Sequence, residues 1–375
     1  MAGLLPDVDP DGLLEYSVVF TDRSLNHMSQ QFQGVMKDIS SNLKAVYQAE
    51  AVVVVPGGGT FAMEAVARQF AHGKKCLVIR NGWFSFRWSQ IFEMGQIPAS
   101  STVLQASQQT ADPCAPFAPP ALDDVLKTIR EEKPDMVFAP HVETASGIML
   151  PDDYIKAIGE AVHEAGGLFV LDCIASGTVW VDMKAAGVDI LISAPQKGWS
   201  SSPCSGLVML SDAALARMEH TNSSSFACDL RKWHQIMQAY ENNGHAYHAT
   251  MPTDALKRFR DTMLESKQIG FDQLKASQLE LGRRVRQLFA DYGFQSVAAE
   301  GYGAPGVAVF YTEKPEMQTG KPFLEEGLQI AAGVPLQCNE PESFRTFRIG
   351  LFGIDKLLNV DRTVENLEKA LKAIQ

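Results

Sequence analysis

From residue 51 the Val, Ile and Leu of this 375-residue chain gather into short runs: "AVVVV", "KKCLVIRN", "MVFAPHVET", "LFVLDCIA" and "VDILISA". Runs of that length, rich in β-branched residues and without polar alternation, read as strands buried on both faces. Amphipathic stretches separate them: a helix through "QFQGVMKDISSNLKAVYQ", another from Phe61, and "PDDYIKAIGEAVHEAGG", with Pro151 at its start and Gly166 near its end. Strand alternating with helix calls for a mostly parallel sheet covered on both faces, an α/β fold. After "SGLVMLS" the sequence is largely helical from 212 to about 291, and then the period changes. "SVAAEG", "GVAVFYTE" and "TFRIGLFG" read as short strands and "NVDRTVENLEKALKAI" as a closing helix. The organisation expected is an N-terminal segment over 1–30, a large α/β domain over 31–270 and a small C-terminal α+β domain over 271–375. The Pro/Ala-rich "ADPCAPFAPPALDD" reads as a surface loop.

Charge narrows the function. The 33 basic and 44 acidic residues give a net −11, with no Lys/Arg-rich run, which argues against a nucleic-acid partner. The first 20 residues carry acids where a secretory signal needs bases, and no apolar stretch approaches the roughly 18 residues of a spanning helix, so a cytoplasmic protein without membrane contact is expected. The six cysteines form no C-x-x-C pair, and neither a metal site nor a disulfide framework is expected.

Ligands of α/β sheets gather outside the carboxyl ends of the strands. After "AVVVV" comes "PGGGTFAMEA", where Gly57, Gly58 and Gly59 allow close approach of an anion to the backbone, Thr60 offers a hydroxyl and a helix N-terminus follows. Without an anion this is a tight turn. It lacks the lysine of a P-loop and the spacing of a dinucleotide fold. "GWFSFRW" crowds aromatic residues at a second strand end, "VETASG" places small hydroxyl residues at a third, and Asp172 ends an apolar strand at a fourth. A carboxylate in such a position needs a partner, because an unpaired buried charge is costly. Lys197 follows "VDILISA" at another exit. It is either a lysine in a solvated turn or an amine whose pKa is lowered in a cleft, suited to Schiff-base chemistry. A phosphate cradle, an aromatic wall, an acid and an amine together match pyridoxal phosphate, whose ring nitrogen needs the acid and whose aldehyde needs the amine.

The chain resembles the class V aminotransferase family of fold type I pyridoxal-phosphate enzymes, particularly the alanine:glyoxylate and serine:glyoxylate aminotransferases. "PGGGTFAMEA", "RNGWFSFRW", "HVETASG", "LDCIASG", "SAPQKGW", "YHATMP" and "FRIGLFG" occur in family order from about residue 25 to the C-terminus. The resemblance implies a seven-stranded-type sheet between helices and places Gly58, Gly59, Thr60 and Gln196 at the cofactor phosphate. It implies that Phe84, with Trp83 as its neighbouring rival, stacks on the ring, that Ile174 lies on the other face and that Thr144 stands near the ring hydroxyl. Asp172 is matched to the acid at the pyridine nitrogen, Lys197 to the Schiff-base lysine and Arg348 to the clamp for the substrate α-carboxylate. Tyr247 and Thr250 match a segment that reaches the phosphate of a neighbouring subunit, which implies a homodimer with shared sites.

The N-terminal "LEYSVVFTDRSLNHMS" and the "GWSSSPCSG" after the lysine depart from the family pattern. They make Arg23, Asn26 and His27 candidate substrate contacts. The expected reaction moves an amino group from a small amino acid, such as alanine, serine or aspartate, to a small oxo acid such as glyoxylate or pyruvate. A lyase acting at the substrate Cα is the alternative, and Cys338 is the one loop cysteine of the tail domain that a desulfurase would need.

Overall fold

The computed structural model describes residues 16–18 and 23–374. Seven strands form the central sheet, in the order Ala51–Pro56, Ser205–Leu210, Ile190–Ser193, Leu168–Asp172, Met136–Pro140, Lys75–Arg80 and Ser100–Gln105. From Ile190–Ser193 to Ser100–Gln105 neighbours pair in parallel, whereas Ser205–Leu210 is antiparallel to both strands beside it. Every residue of the three middle strands Met136–Pro140, Leu168–Asp172 and Ile190–Ser193 is buried, which accounts for runs without polar alternation. The edge strand Ser100–Gln105 is exposed or half-buried throughout. Its sequence, SSTVLQ, has no apolar run, so the signal that locates the other strands passes over it.

Helices cover both faces. The helix Gln30–Tyr47 (α1) starts at Ser29, whose side chain accepts from the Phe32 N–H, and it buries Phe32, Val35, Met36, Ile39 and Leu43 at helical spacing. The helix Gly59–Phe70 (α2) begins two residues before the expected Phe61, because Gly58 is extended and Gly59 already takes the first helical position. "WFSFRW" opens the helix Trp83–Gly95 (α3) directly after the Lys75–Arg80 strand.

The tail of the chain folds around a second sheet of Val307–Tyr311, Thr346–Gly350 and Ala331–Ala332, all antiparallel. The helices Phe271–Asp291 and Val360–Ile374 bury Leu274, Leu281, Val285, Phe289 and Leu371 against it, with the Phe289 and Phe310 rings stacked 4.5 Å apart. "SVAAEG" is not a strand: it makes single bridges from Ser296 to Phe310 and from Ala298 to Phe117. Phe117 in turn corrects the surface-loop reading of "ADPCAPFAPPALDD". Its ring is buried and its backbone bonds to Val297 and Ala299, within an apolar cluster that takes residues from both sheets' surroundings. Among the described residues no helix is long and apolar enough to cross a membrane.

Candidate active site

The parallel strands direct their carboxyl ends to one side, and a cavity of about 380 Å³ opens there. It is lined by Gly59, Thr60, Phe84, Thr144, Asp172, Ile174, Gln196, Lys197 and Arg348, among others. Residues up to 289 positions apart in the sequence thus share one space because each follows a strand or sits on the small sheet facing it.

Lys197 stands in the loop after Ile190–Ser193, and that loop is rigidly held. The Ser201 N–H donates to the Pro195 carbonyl and the Ser200 N–H to the Lys197 carbonyl, both at 3.0 Å. Trp199 is fully buried, 4.7 Å from the Trp180 ring and packed against Tyr47, Phe259 and Phe271. At Gly198 a Cβ would run into the Gly177 carbonyl oxygen, so only glycine fits. The lysine itself is half-buried, with Nζ 5.0 Å from the centre of the Phe352 ring. Burial, and then the charge of Arg348, holds its amine below the usual lysine range.

Asp172 ends its strand level with Ile192 on one side and Pro140 on the other. Its carboxylate accepts the Ile174 N–H at 2.9 Å. Burial pushes it up to about 7, the Glu143 charge adds to the rise, and the Ile174 N–H and Arg87 oppose it. Beside it, His141 joins Ser176 through Nδ1 at 2.7 Å, and burial holds the imidazole down to about 4, so it is neutral at physiological pH.

Phe84 is carried by the first turn of α3, and Glu143 fixes that turn. The fully buried Glu143 carboxylate accepts from the N–H groups of Phe84 (3.2 Å), Ser85 (2.8 Å) and Ala145 (3.0 Å) and from the Ser85 hydroxyl (2.6 Å). Trp83, one residue earlier, does not line the cavity; it packs with Phe86 at 5.7 Å. Arg348 projects from the small sheet, its Nε donating to the Ala332 carbonyl at 2.8 Å. That leaves its two terminal nitrogens for a ligand. Burial holds its guanidinium below the usual arginine range, and the Glu143 charge partly offsets this.

Six of the cofactor and substrate residues expected from the sequence do not line this cavity. Asn26 and His27 precede α1 and do not line the cavity, nor does Arg23. His27 is buried with its ring 5.7 Å from that of Tyr247. Tyr247 and Thr250 are exposed, and their hydroxyls lie 3.1 Å apart, outside the cavity of their own chain. Gly58 caps α2 without itself lining the space. Cys338 is buried outside the cavity lining, its thiol directed to the Arg80 carbonyl and pushed up to about 12 by burial. Sequence reasoning missed Arg87, Met63, Val142, Val307 and Phe352, all of which line the cavity. For Arg87 a signal was present: it follows Phe84 by three residues in a helix, on the same face.

Pyridoxal phosphate fits these residues. Asp172 is a buried acid that forms no ion pair among the described residues, Arg87 acting on it only through its charge, and it is thus open to a pyridinium partner. The N–H groups of Gly58, Gly59 and Thr60 make no hydrogen bond among the described residues, as a phosphate partner requires. A Cβ on Gly59 would lie 2.5 Å from Ile174 Cδ1, so glycine keeps the cradle open. Gln196 holds a buried amide oxygen without a partner, and half a turn about its last bond presents the NH2 instead. No group of three metal-ligating side chains occurs among the described residues.

Residues 13–347 match the family described as Aminotransferase class-V. The alanine–glyoxylate aminotransferase of Callithrix jacchus is 26% identical over 363 residues, covering 93% of this chain and 82% of that protein. A 2-aminoethylphosphonate–pyruvate transaminase of Syntrophobacter fumaroxidans is 27% identical over 334 residues, 86% of this chain and 84% of its own length. Among solved structures, an alanine–glyoxylate aminotransferase from Nostoc sp. superposes with a TM-score of 0.77 at 22% identity, covering 92% of this chain and 88% of that one. The aspartate aminotransferase of Thermus thermophilus gives 0.77 at 23% identity, covering 94% of both.

Proposed function

The chain belongs to the class V aminotransferase family, pyridoxal-phosphate-dependent enzymes that exchange amino groups between amino and oxo acids, and on that premise we propose that it moves an amino group from a small L-amino acid, of the alanine, serine or aspartate kind, to a small 2-oxo acid such as glyoxylate or pyruvate. The observation that carries this reading is the meeting of Lys197, Asp172 and Arg348 in one cavity. The size of the space, about 380 Å³ for cofactor and substrate together, supports a small substrate. The relatives' names, with glyoxylate in one and pyruvate in the other, support the acceptor.

Gly58, Gly59, Thr60 and Gln196 would hold the phosphate, Phe84 and Ile174 the faces of the ring, Thr144 its hydroxyl and Asp172 its nitrogen. Bound there, pyridoxal phosphate supplies an aldehyde that condenses with amines and a ring that accepts the electron pair released at the substrate Cα. The chain's own part is positional and acid–base. Lys197, with its pKa depressed by burial, keeps a larger share of neutral amine at neutral pH and can take and return a proton at Nζ. Asp172, once a cation stands opposite it, would hold its negative charge at the ring nitrogen. Arg348 orients the α-carboxylate through its planar fork and thereby sets which substituent faces Lys197.

Replacement of Arg348 tests the reading. Arg348→Lys keeps the charge without the fork, and Arg348→Ala removes both; each should lower kcat/KM for amino and oxo acids by roughly 30-fold or more, with cofactor affinity nearly unchanged. Normal rates with every amino acid in Arg348→Ala, or preference for amines without a carboxylate, would overturn it. Lys197→Ala should abolish turnover while the melting temperature of the cofactor-free protein stays within a few degrees.

A homodimer belongs to the same proposal. Its support is the exposed hydroxyl pair of Tyr247 and Thr250, together with exposed Phe61 beside the cradle and exposed Phe226. A cytoplasmic location is likewise proposed, supported by six cysteines that form no disulfide.

A further inference from the structure

The cavity contains three cations, Arg87, Lys197 and Arg348, and one carboxylate, Asp172. Among the described residues none of the three cations has an ion-pair partner. Lys197 and Arg348 have roles in the reaction. Arg87 does not yet have one.

Its surroundings specify it. Arg87 lies three residues after Phe84 in α3, and its guanidinium carbon is 4.8 Å from the centre of the Phe84 ring. Nη1 donates to the Thr60 hydroxyl at 2.9 Å. Thr60 is the second residue of α2, so the guanidinium stands one hydroxyl away from the helix end where the N–H groups of Gly58, Gly59 and Thr60 are unpaired. The loop Gly57–Thr60 holds no cation of its own. A helix N-terminus offers the equivalent of about half a positive charge, which leaves a phosphate dianion under-compensated. Three unpaired N–H groups, a hydroxyl and a guanidinium without an ion-pair partner among the described residues thus stand at one helix end.

We infer that Arg87 binds the phosphate of the cofactor, supplied across the cavity from α3 to a cradle that lacks a cation. The inference rests on the pyridoxal-phosphate reading of the site. It has a consequence for substrate choice: with Arg87 engaged by phosphate, Arg348 is the arginine of this cavity left for a carboxylate. The enzyme therefore favours amino acids with one acid group over those with two.

Binding to cofactor-free protein tests this without turnover. Wild type, Arg87→Gln, Arg87→Lys and Thr60→Val are titrated with pyridoxal phosphate and, separately, with pyridoxal, which lacks the phosphate; binding is read by tryptophan fluorescence, and far-UV circular dichroism reports folding. Loss of a charge-assisted contact should weaken pyridoxal phosphate by about ten- to a hundredfold in Arg87→Gln and leave pyridoxal unchanged. Arg87→Lys should lose less, and Thr60→Val, which leaves Arg87 in place but removes the hydroxyl it grips, should lose several-fold. Inorganic phosphate should compete with pyridoxal phosphate in wild type and less effectively in Arg87→Gln. The inference is overturned if Arg87→Gln and Arg87→Lys bind both compounds as wild type does, and equally if their one defect is a raised KM for amino acids with a second acid group, which would make Arg87 a substrate residue. Failure of wild type to bind either compound would instead remove the cofactor reading itself.

Discussion

Asp172 is a carboxylate whose buried surroundings oppose its charge. Burial raises its carboxyl to about 7, so between about pH 4 and pH 7 the folded, cofactor-free protein holds a proton that the unfolded chain has released. The contribution of Asp172 to stability then falls as pH rises through that window, by an amount on the order of 1–4 kcal/mol, while the buried His141, held neutral, contributes in the opposite sense. Asp172→Asn should show no such fall, and pyridoxal phosphate should abolish it in wild type, because a pyridinium opposite the carboxylate favours the charged form. Thermal melts of both proteins across this range, with and without cofactor, measure the effect; parallel curves for wild type and Asp172→Asn without cofactor would contradict it. Glu143 presents the opposite case, a buried carboxylate whose acceptor capacity is filled by three N–H groups and a hydroxyl. Glu143→Ala leaves those donors buried and unpaired and should cost about 3 kcal/mol in urea unfolding. It should also free the Phe84 turn, so visible circular dichroism of the bound cofactor would drop even at saturating cofactor.

At the scale of elements, the lysine loop shows how tightly the backbone is specified. Gly198 passes against the Gly177 carbonyl, and a backbone atom cannot swing aside as a side chain can. Gly198→Ala should therefore displace Lys197 and abolish reaction with cofactor, while Gly73→Ala, where a Cβ meets open space at φ +68°, should cost only about 1 kcal/mol of conformational strain. Absorbance on cofactor addition separates the two. Buried strands were legible because burial on both faces writes itself as uninterrupted Val, Ile and Leu, and Asp172 and Lys197 were legible because a charge at the end of such a run is out of place. Ser100–Gln105 was not legible, since an edge strand half in water carries polar residues. Phe117 leaves no local signal, because its partners, Val297 and Ala299, are far along the chain and the contact is a backbone seam without a period. Arg87 sits among aromatic residues that read as a ring-stacking wall, and nothing local in "FSFR" announces that Thr60 lies opposite. Tyr247 and Thr250 are a different matter: only the order of motifs marks them, because their place is outside the cavity of their own chain.

For the whole molecule, the shared-site proposal makes a test by mixing. One chain carries Lys197→Ala and the other Tyr247→Phe; if Tyr247 serves the neighbour's phosphate, one site of the heterodimer gathers both defects and the other has neither. Activity should exceed that of either parent, toward half of wild type per heterodimer. Demonstrated heterodimers no more active than the parents would count against sharing. The sheet order bears on a separate matter, the sequence of events during synthesis. Ala51–Pro56 has a single neighbour in the sheet, Ser205–Leu210, some 150 residues later in the chain. A ribosome adding roughly 5–20 residues per second must run on for many seconds before that partner exists. Until then the glycine loop has no fixed strand behind it, and Gly57 lacks the Cys204 carbonyl that its N–H will meet at 3.0 Å. The anion cradle is thus among the last parts of the large domain to take shape, although it is among the first to be made. Nascent chains stalled before residue 205 should not retain pyridoxal phosphate, and cofactor capture should report that the large domain's sheet has closed.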